Sequence, residues 1–430
     1  MNARSLLNPM KMILRAQDCR QSAVSLIAFA LICVSATSAS AQALSERGYV
    51  EARGQFFFQE APNDPEQTVG DVLLRQDVFL KAAEWLRFGA GLDLRANSHD
   101  QVEDQWRLDF ADRSILRPHA AVRRLTATIT SGRLTLDVGK QFIRWGRADI
   151  LNPTDRLAPR DYLNVIDTEF LPVLGARAVI QSGSENFEVV FVPRLTPSRL
   201  PLIDQRWTVL PPEAAGITLV DLGNEFPQKT QQGVRWNHVG GRVEGSLSFF
   251  DGLQNLPNVR VDAIDETTAG LTRLYPKVRT YGGDVAIPTS VVTLKGEAAY
   301  LQSPDEQNND YVLYVIEFER QVGEWVFDGG YTGEVLVNDR GAFRFAPDSG
   351  VAKSIIGRVG YTLGPRRSLA IEGAARQSGD GFYVKGEFSQ AFGQHWRATF
   401  TGVGLAGEDS DFLGQYHRNS HASIALRFSY

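Results

Sequence analysis

The sequence predicts an all-β protein, a closed, antiparallel, up-and-down transmembrane β-barrel of about eighteen strands. Three observations predict it. Apolar and polar residues alternate in segments from residue 49 to the last residue, the period of two expected of strands with one apolar side. The connections between these segments alternate short and long without a break. A barrel with tight turns at one rim and variable loops at the other produces that alternation, and a two-sheet sandwich has no reason to. Beyond the leader, no stretch approaches the roughly 18 consecutive apolar residues that a membrane helix needs.

Residues 1–41 read as a secretory signal peptide. Arg4, Lys11, Arg15 and Arg20 stand against one acid, Asp18, ahead of the apolar run AVSLIAFALICVSA at 23–36. Ala39 and Ala41 follow in the small-x-small pattern of a cleavage site, so cleavage is expected after Ala41. Cys19 and Cys33 both fall in this leader, and Ile32 before Cys33 argues against lipidation. The mature chain, read as one barrel domain over 42–430, is then free of cysteine, which excludes disulfides and cysteine-ligated metals. Its net charge moves from −5 to −8, because the leader removes four basic residues and one acidic residue. That acidic balance argues against a nucleic-acid partner.

Strands are expected in order near 49–60, 71–82, 84–96, 115–130, 133–142, 174–182, 186–194, 232–239 and 241–252. The second half continues near 274–288, 290–303, 311–321, 324–337, 352–363, 367–377, 381–391, 394–406 and 419–430. Their faces separate by chemistry: Val312, Tyr314, Ile316 and Phe318 alternate with Glu317 and Glu319. With the apolar face on lipid, the lumen wall carries Arg87, Arg95, Arg124, Arg177, Arg235 and Arg242 in the first half. Glu317, Glu319, Asp328 and Glu334 crowd a later arc. In a closed barrel the two arcs stand across the pore, giving a transverse field that orients polar solutes and disfavours greasy ones. Taken one at a time, such residues are more often plain solvated wall positions paired with neighbours.

One stretch breaks the period: GKQFIRWGRADILNPTDRLAPRDYLNVIDTEFLP at 139–172. Its long loop, 143–173, is dense in turn residues, aromatics and charges of both signs, which favours an ordered loop folded into the pore as a constriction. The alternative is a rim loop packed on the barrel top. Arg144, Trp145, Arg147, Asp149, Asp155, Arg156, Arg160 and Asp161 are the candidate constriction residues, the arginines pairing with Asp161, Asp167 or Glu169. A second long loop, 195–231, has prolines that dictate extended or turning backbone. Its Arg199 and Arg206 either add a basic lip to the constriction or belong to an ordinary exposed loop.

The final segment, HASIALRFSY, puts Ile424, Leu426, Phe428 and Tyr430 on one face. In this it resembles the assembly signal of Gram-negative outer-membrane, porin-like β-barrel proteins, whose last strand ends in an aromatic. The run Gln141-x-x-x-Trp145-Gly146-x-x-Asp149, followed by Asn152-Pro153-x-Asp155, is also similar to poorly characterised proteobacterial outer-membrane barrel families. The first resemblance implies an outer-membrane location, contact with lipid and lipopolysaccharide, and insertion by the barrel-assembly machinery. Monomer and oligomer stay open, because lipid-facing and subunit-facing apolar surfaces look alike in one sequence. There is no Gly-x-Ser-x-Gly elbow and no His-Glu-x-x-His zinc motif, so neither an enzyme, a metal nor a cofactor is expected. The expected function is a channel for passive uptake of small polar or charged solutes. Its alternatives are an export conduit for an acidic polysaccharide and a non-conducting surface anchor.

Overall fold

The computed structural model describes residues 43–210, 214, 216–306, 308–340 and 350–430. The signal-peptide reading of 1–41 lies outside them. Among the described residues, eighteen strands form the barrel: β1 (Leu44–Phe57), β2 (Thr68–Ala83), β3 (Leu86–Asn97), β4 (Ala120–Ser131), β5 (Leu134–Gln141) and β6 (Val173–Ser182) come first. They continue with β7 (Glu185–Val192), β8 (Gln231–His238), β9 (Glu244–Leu253), β10 (Lys277–Pro288), β11 (Thr293–Gln302) and β12 (Asp310–Val322). The last six are β13 (Trp325–Asn338), β14 (Ser354–Thr362), β15 (Arg367–Arg376), β16 (Phe382–Phe392), β17 (Trp396–Ala406) and β18 (His421–Ser429). Each pairs antiparallel with the next, and β18 returns to β1 in the register Tyr49↔Ser429 to Phe57↔His421. Closure leaves the main ring no free edge, the condition lipid imposes on a spanning sheet.

The side-chain alternation maps onto this ring as parity demands. Leu247, Ile316 and Ile355 point outward, each more than 60 % exposed, while Glu317 and Thr332 point inward and are buried. The short turns are made by two residues or a few more. Gly132 and Gly323, at φ 57° and 58°, supply the left-handed backbone that a two-residue hairpin turn requires. Trp85, Trp325, Phe392 and Trp396 gather exposed at this rim, where Trp396 packs on Phe428 at 5.0 Å. Tyr430 closes the chain against Gly48 through paired backbone hydrogen bonds of 3.1 and 3.2 Å.

Prolines account for two shifts from the expected boundaries. The fourth strand starts at Ala120 rather than near 115, and the tenth at Lys277 rather than 274, because Pro118 and Pro276 offer no amide to the ladder. β5 reaches only to Leu125 of β4, and the pair Leu108–Asp109 aligns parallel with Ala120–Ala121 above it. Loop 98–119 thereby supplies the ladder partner that the shorter β5 does not extend to at the start of β4. The long loops also hold structure that their proline content concealed. Thr218–Glu225, Asn258–Ala263 and Thr268–Leu274 form a second sheet, the last of them central, parallel to the first and antiparallel to the second.

Candidate functional site: a loop seated across the lumen

The segment between β5 and β6 turns into the barrel, and its entry depends on Gly146. That residue has φ +93°, and a Cβ there would lie 2.6 Å from Glu297 Oε1. The backbone therefore presses directly on two inward carboxylates. Glu297 accepts from the amides of Arg147 (2.8 Å), Ala148 (3.1 Å) and Thr154 (2.9 Å) and from the Thr154 hydroxyl (2.8 Å). Glu317 accepts from the Asp149 amide at 2.9 Å and that of Ile150 at 3.2 Å. Both acids are buried by this contact. Trp145, 2 % exposed, sits over Gly233, which leaves room for the indole, and donates to Glu188 at 2.8 Å.

Arg147 completes the attachment. Its guanidinium donates to Asp284 (2.8 Å), Glu244 (2.6 Å) and Asn237 (2.8 Å), all on the barrel wall. The far half of the loop meets the opposite arc with the reverse polarity. Asp161 takes a bidentate pair from Arg117, both at 2.8 Å, and faces Arg199 at 3.3 Å. Glu169 bridges Arg75 (2.8 Å) and Arg95 (3.0 Å), and Asp167 bridges Arg53 (2.8 Å) and Lys385 (2.9 Å). Burial alone would raise the Asp161 carboxyl, but Arg117 and Arg199 hold it at about 2. At Glu169 burial is again outweighed, here by Arg95 and Arg75, and the carboxyl stays far below the ordinary range.

Asp161, Asp167 and Glu169 thus take basic partners from outside the loop rather than Arg144, Arg147 or Arg160. Arg147 binds the wall, and Arg144 and Arg160 both lie over the Phe170 ring, at 4.1 and 4.2 Å. Arg144 lies 4.0 Å from Asp155, and Arg156 neighbours the same carboxyl. Arg199 and Arg206 form no lip. Each is 4 % exposed, Arg199 locked to Asp112 at 2.9 Å and Arg206 to Asp64 at 3.4 Å with its guanidinium 3.7 Å from the Phe57 ring. Arg242 does not reach the wall: Gly240 and Gly241, both at positive φ, delay β9 to Glu244 and leave Arg242 exposed in the turn. Arg87 is exposed near the short-turn rim, Arg124 covers the Phe79 and Phe142 rings, Arg177 meets Glu188 at 2.9 Å, and Arg235 meets Asp284 at 2.9 Å. Lys295 lies among Asp149, Glu317 and Glu319, with Asp328 beside the same group. Glu334, on the inward side of β13, is half-buried.

The loop runs from the acids of β10–β12 to the basic residues Arg53, Arg75 and Arg95 of β1–β3 and answers both signs. Residues unremarked in the sequence carry much of this, notably Asp284, Arg117, Asp112 and Lys140. Asp284 was legible by parity, since it alternates with the outward Tyr281, Val285 and Ile287. Asp112 sits in loop 98–119, where no period marks it, and Arg117 falls in the part of the strand expected near 115–130 that does not form before Ala120. What the loop leaves free lies toward β13–β15. Arg358 is exposed on that wall, opposite Asp328 and Glu372 in the strand register. Above it a cavity of about 1050 Å³ lies between Asp155, Arg156 and Arg160 of the loop and Glu372, Ala374 and Tyr383 of the wall.

Asp155 gives this seating a pH dependence. Burial pushes its carboxyl up to about 6 despite the Trp145 amide and the neighbouring Arg156 and Arg144. With the folded value above the unfolded one, the folded state is favoured in full below about pH 4 and loses that advantage as pH rises through about 6. The loss is on the order of 3 kcal/mol by linkage. Urea unfolding in lipid vesicles is expected to give a higher midpoint at pH 4.5 than at 7.5, and Asp155→Asn is expected to remove most of that difference.

No protein-family model matches the sequence, and no curated protein matches it. Among solved structures, the chain is similar to Pseudomonas aeruginosa OpdQ, at 11 % identity and a TM-score of 0.52 over 91 % of this chain and 99 % of that one. It is similar to Acinetobacter baumannii OccAB4 at 13 % identity and 0.51, over 90 % and 98 %. A BenF-like porin from Pseudomonas fluorescens follows at 10 % and 0.52, over 90 % and 97 %. At such identities the likeness is one of fold: the eighteen-stranded barrel.

Proposed function

We propose that the chain is a Gram-negative outer-membrane channel through which small polar or charged solutes diffuse passively, between the inserted loop and the wall of β13–β15. The observation that carries this reading is an asymmetry of burial. Inward carboxylates of β10–β12 are covered by the loop, whereas Arg358 on β14 stays exposed and Glu372 on β15 half-buried. A fixed loop on one side and water-accessible charges of both signs on the other describe a constricted aqueous path. The outward belt of aliphatic and aromatic side chains supports residence in a bilayer, and the fold shared with porins supports the outer membrane. Glu372 and Glu387 interrupt the basic residues along β14–β17, which tells against export of a polyanion.

Cysteine substitution tests the path directly, since both native cysteines precede residue 42. In planar bilayers, Arg358→Cys is expected to show discrete openings that shrink stepwise when a bulky cationic thiol reagent is added. Ile355→Cys, on the outward face of the same strand, is expected to be indifferent. An inserted barrel that never conducts would sink the channel reading and leave a surface anchor, a plugged transporter or an enzyme; a conducting barrel insensitive at position 358 would move the path elsewhere.

A further inference from the structure

The cavity above the loop has a lining that the charged path below it does not explain. Its walls are Leu200 and Ile203 from loop 195–210, Ile217, and the inner face of the second sheet, with Val259, Val261 and Leu271. Several of these stay open to water: Val261 is 61 % exposed and Val259 42 %. Aliphatic surface collected around one concavity of about 1050 Å³ is the usual composition of a small-molecule site, at the upper end of the size range that encloses drug-sized ligands.

Most of the charged groups at its floor are already paired. Glu372 accepts from the Tyr383 hydroxyl at 2.8 Å and lies 3.9 Å from Lys385. Arg160 stacks on Phe170 and donates to Thr168 at 3.2 Å. Arg273 forks onto Asp221 at 2.6 and 2.7 Å, and Asp155 has Arg144 beside it. These paired charges are not left to select an ionic head group, while the Tyr416 hydroxyl on the same lining offers a hydrogen-bonding group to one neutral polar end.

We propose that this outer vestibule is a binding site for an uncharged organic molecule with a bulky apolar body and a single hydrogen-bonding end. The site goes beyond the diffusion reading and does not depend on it, because binding requires no conduction. It also reverses the expectation, drawn from the wall charges alone, that greasy molecules are disfavoured throughout.

The test is calorimetric titration of 1-adamantanol into the mature protein in lipid nanodiscs, with empty nanodiscs of the same lipid as the blank. A saturable one-site isotherm above the blank is expected, tighter than that of adamantane-1-carboxylate. The double substitution Val261→Asp with Leu271→Asp is expected to weaken it about tenfold or more, by placing carboxylates against the apolar body. Val220→Asp, on the opposite face of the same sheet, is expected to leave it unchanged. Heat-modifiable gel mobility confirms that each variant keeps its barrel. Heats no different from empty nanodiscs, tighter binding of the carboxylate, or indifference to the double substitution would each overturn the proposal. Conductance, measured separately, bears on the channel reading alone.

Discussion

Arg147→Ala is expected to lower the unfolding free energy in lipid vesicles by about 3–5 kcal/mol, the range for breaking a buried ion pair from one side. The size follows from what the guanidinium leaves behind. Asp284 has a side chain with no exposed surface and would keep Arg235 as its ion-pair partner, while Glu244 and Asn237 lose theirs in the loop. The amides of residues 147–150 then have only Glu297 and Glu317 to hold them. Single-channel current is expected to rise and become noisier as segment 145–154 detaches. Arg147→Lys is not expected to rescue, because one ammonium cannot reach three acceptors set apart by a planar fork. Arg144→Ala provides the contrast. Its side chain is 53 % exposed over Phe170, and its loss is expected to change stability by less than about 1 kcal/mol. Equal urea midpoints for Arg147→Ala and wild type would remove Arg147 as the anchor.

The barrel was legible because its signal is local. Alternation identifies a strand within a few residues, and parity assigns faces without knowledge of neighbours, which is why Ile316 and Glu317 fall on the sides expected of them. Loop 143–173 was legible as a departure from that period, with Gly146, Pro153 and Pro159 marking a backbone that must do something other than continue a strand. Its partners were not legible. Arg147 meets Glu244 and Asp284 at sequence separations of 97 and 137 residues, set by closure of the ring and by nothing in the loop itself. Reading the loop alone gave its arginines Asp161, Asp167 or Glu169 as partners; the fold gives Asp161 to Arg117 instead. Arg199 and Arg206 were misread for a related reason. Arginine in a proline-rich loop usually means solvent, and only the packing of that loop over Asp112 and Asp64 buries it. The vestibule escaped notice because its aliphatic residues belong to four separate segments, each too short to show a face.

Glu169→Gln tests the other end of the loop, and its largest effect is expected in selectivity. Glu169 stands between Arg75 and Arg95; without its charge Arg75 retains Asp93 at 2.6 Å, but Arg95 loses its carboxylate hydrogen bond. The stability cost is expected to be about 1.5–3 kcal/mol, the range for hydrogen bonds to charged groups, rather than that of a fully buried pair, since the Glu169 side chain is 39 % exposed. In a salt gradient the reversal potential is expected to shift toward that of the anion, because two guanidiniums at the loop now share a single acid. Acid should not imitate the substitution. The wild-type carboxyl lies far below the ordinary range, so its contribution is present at neutral pH and is lost only as pH falls through that depressed value. Lowering pH from 7 to 5 therefore leaves Glu169 ionised while Asp155 gains its proton. In an Asp155→Asn background, which removes that titration, a channel that turned anion-selective at pH 5 would show that the loop is held to the basic arc more weakly than these ion pairs require. A selectivity that is steady across that range in Asp155→Asn and displaced at every pH when Glu169→Gln is added would place the ion path within reach of the basic arc.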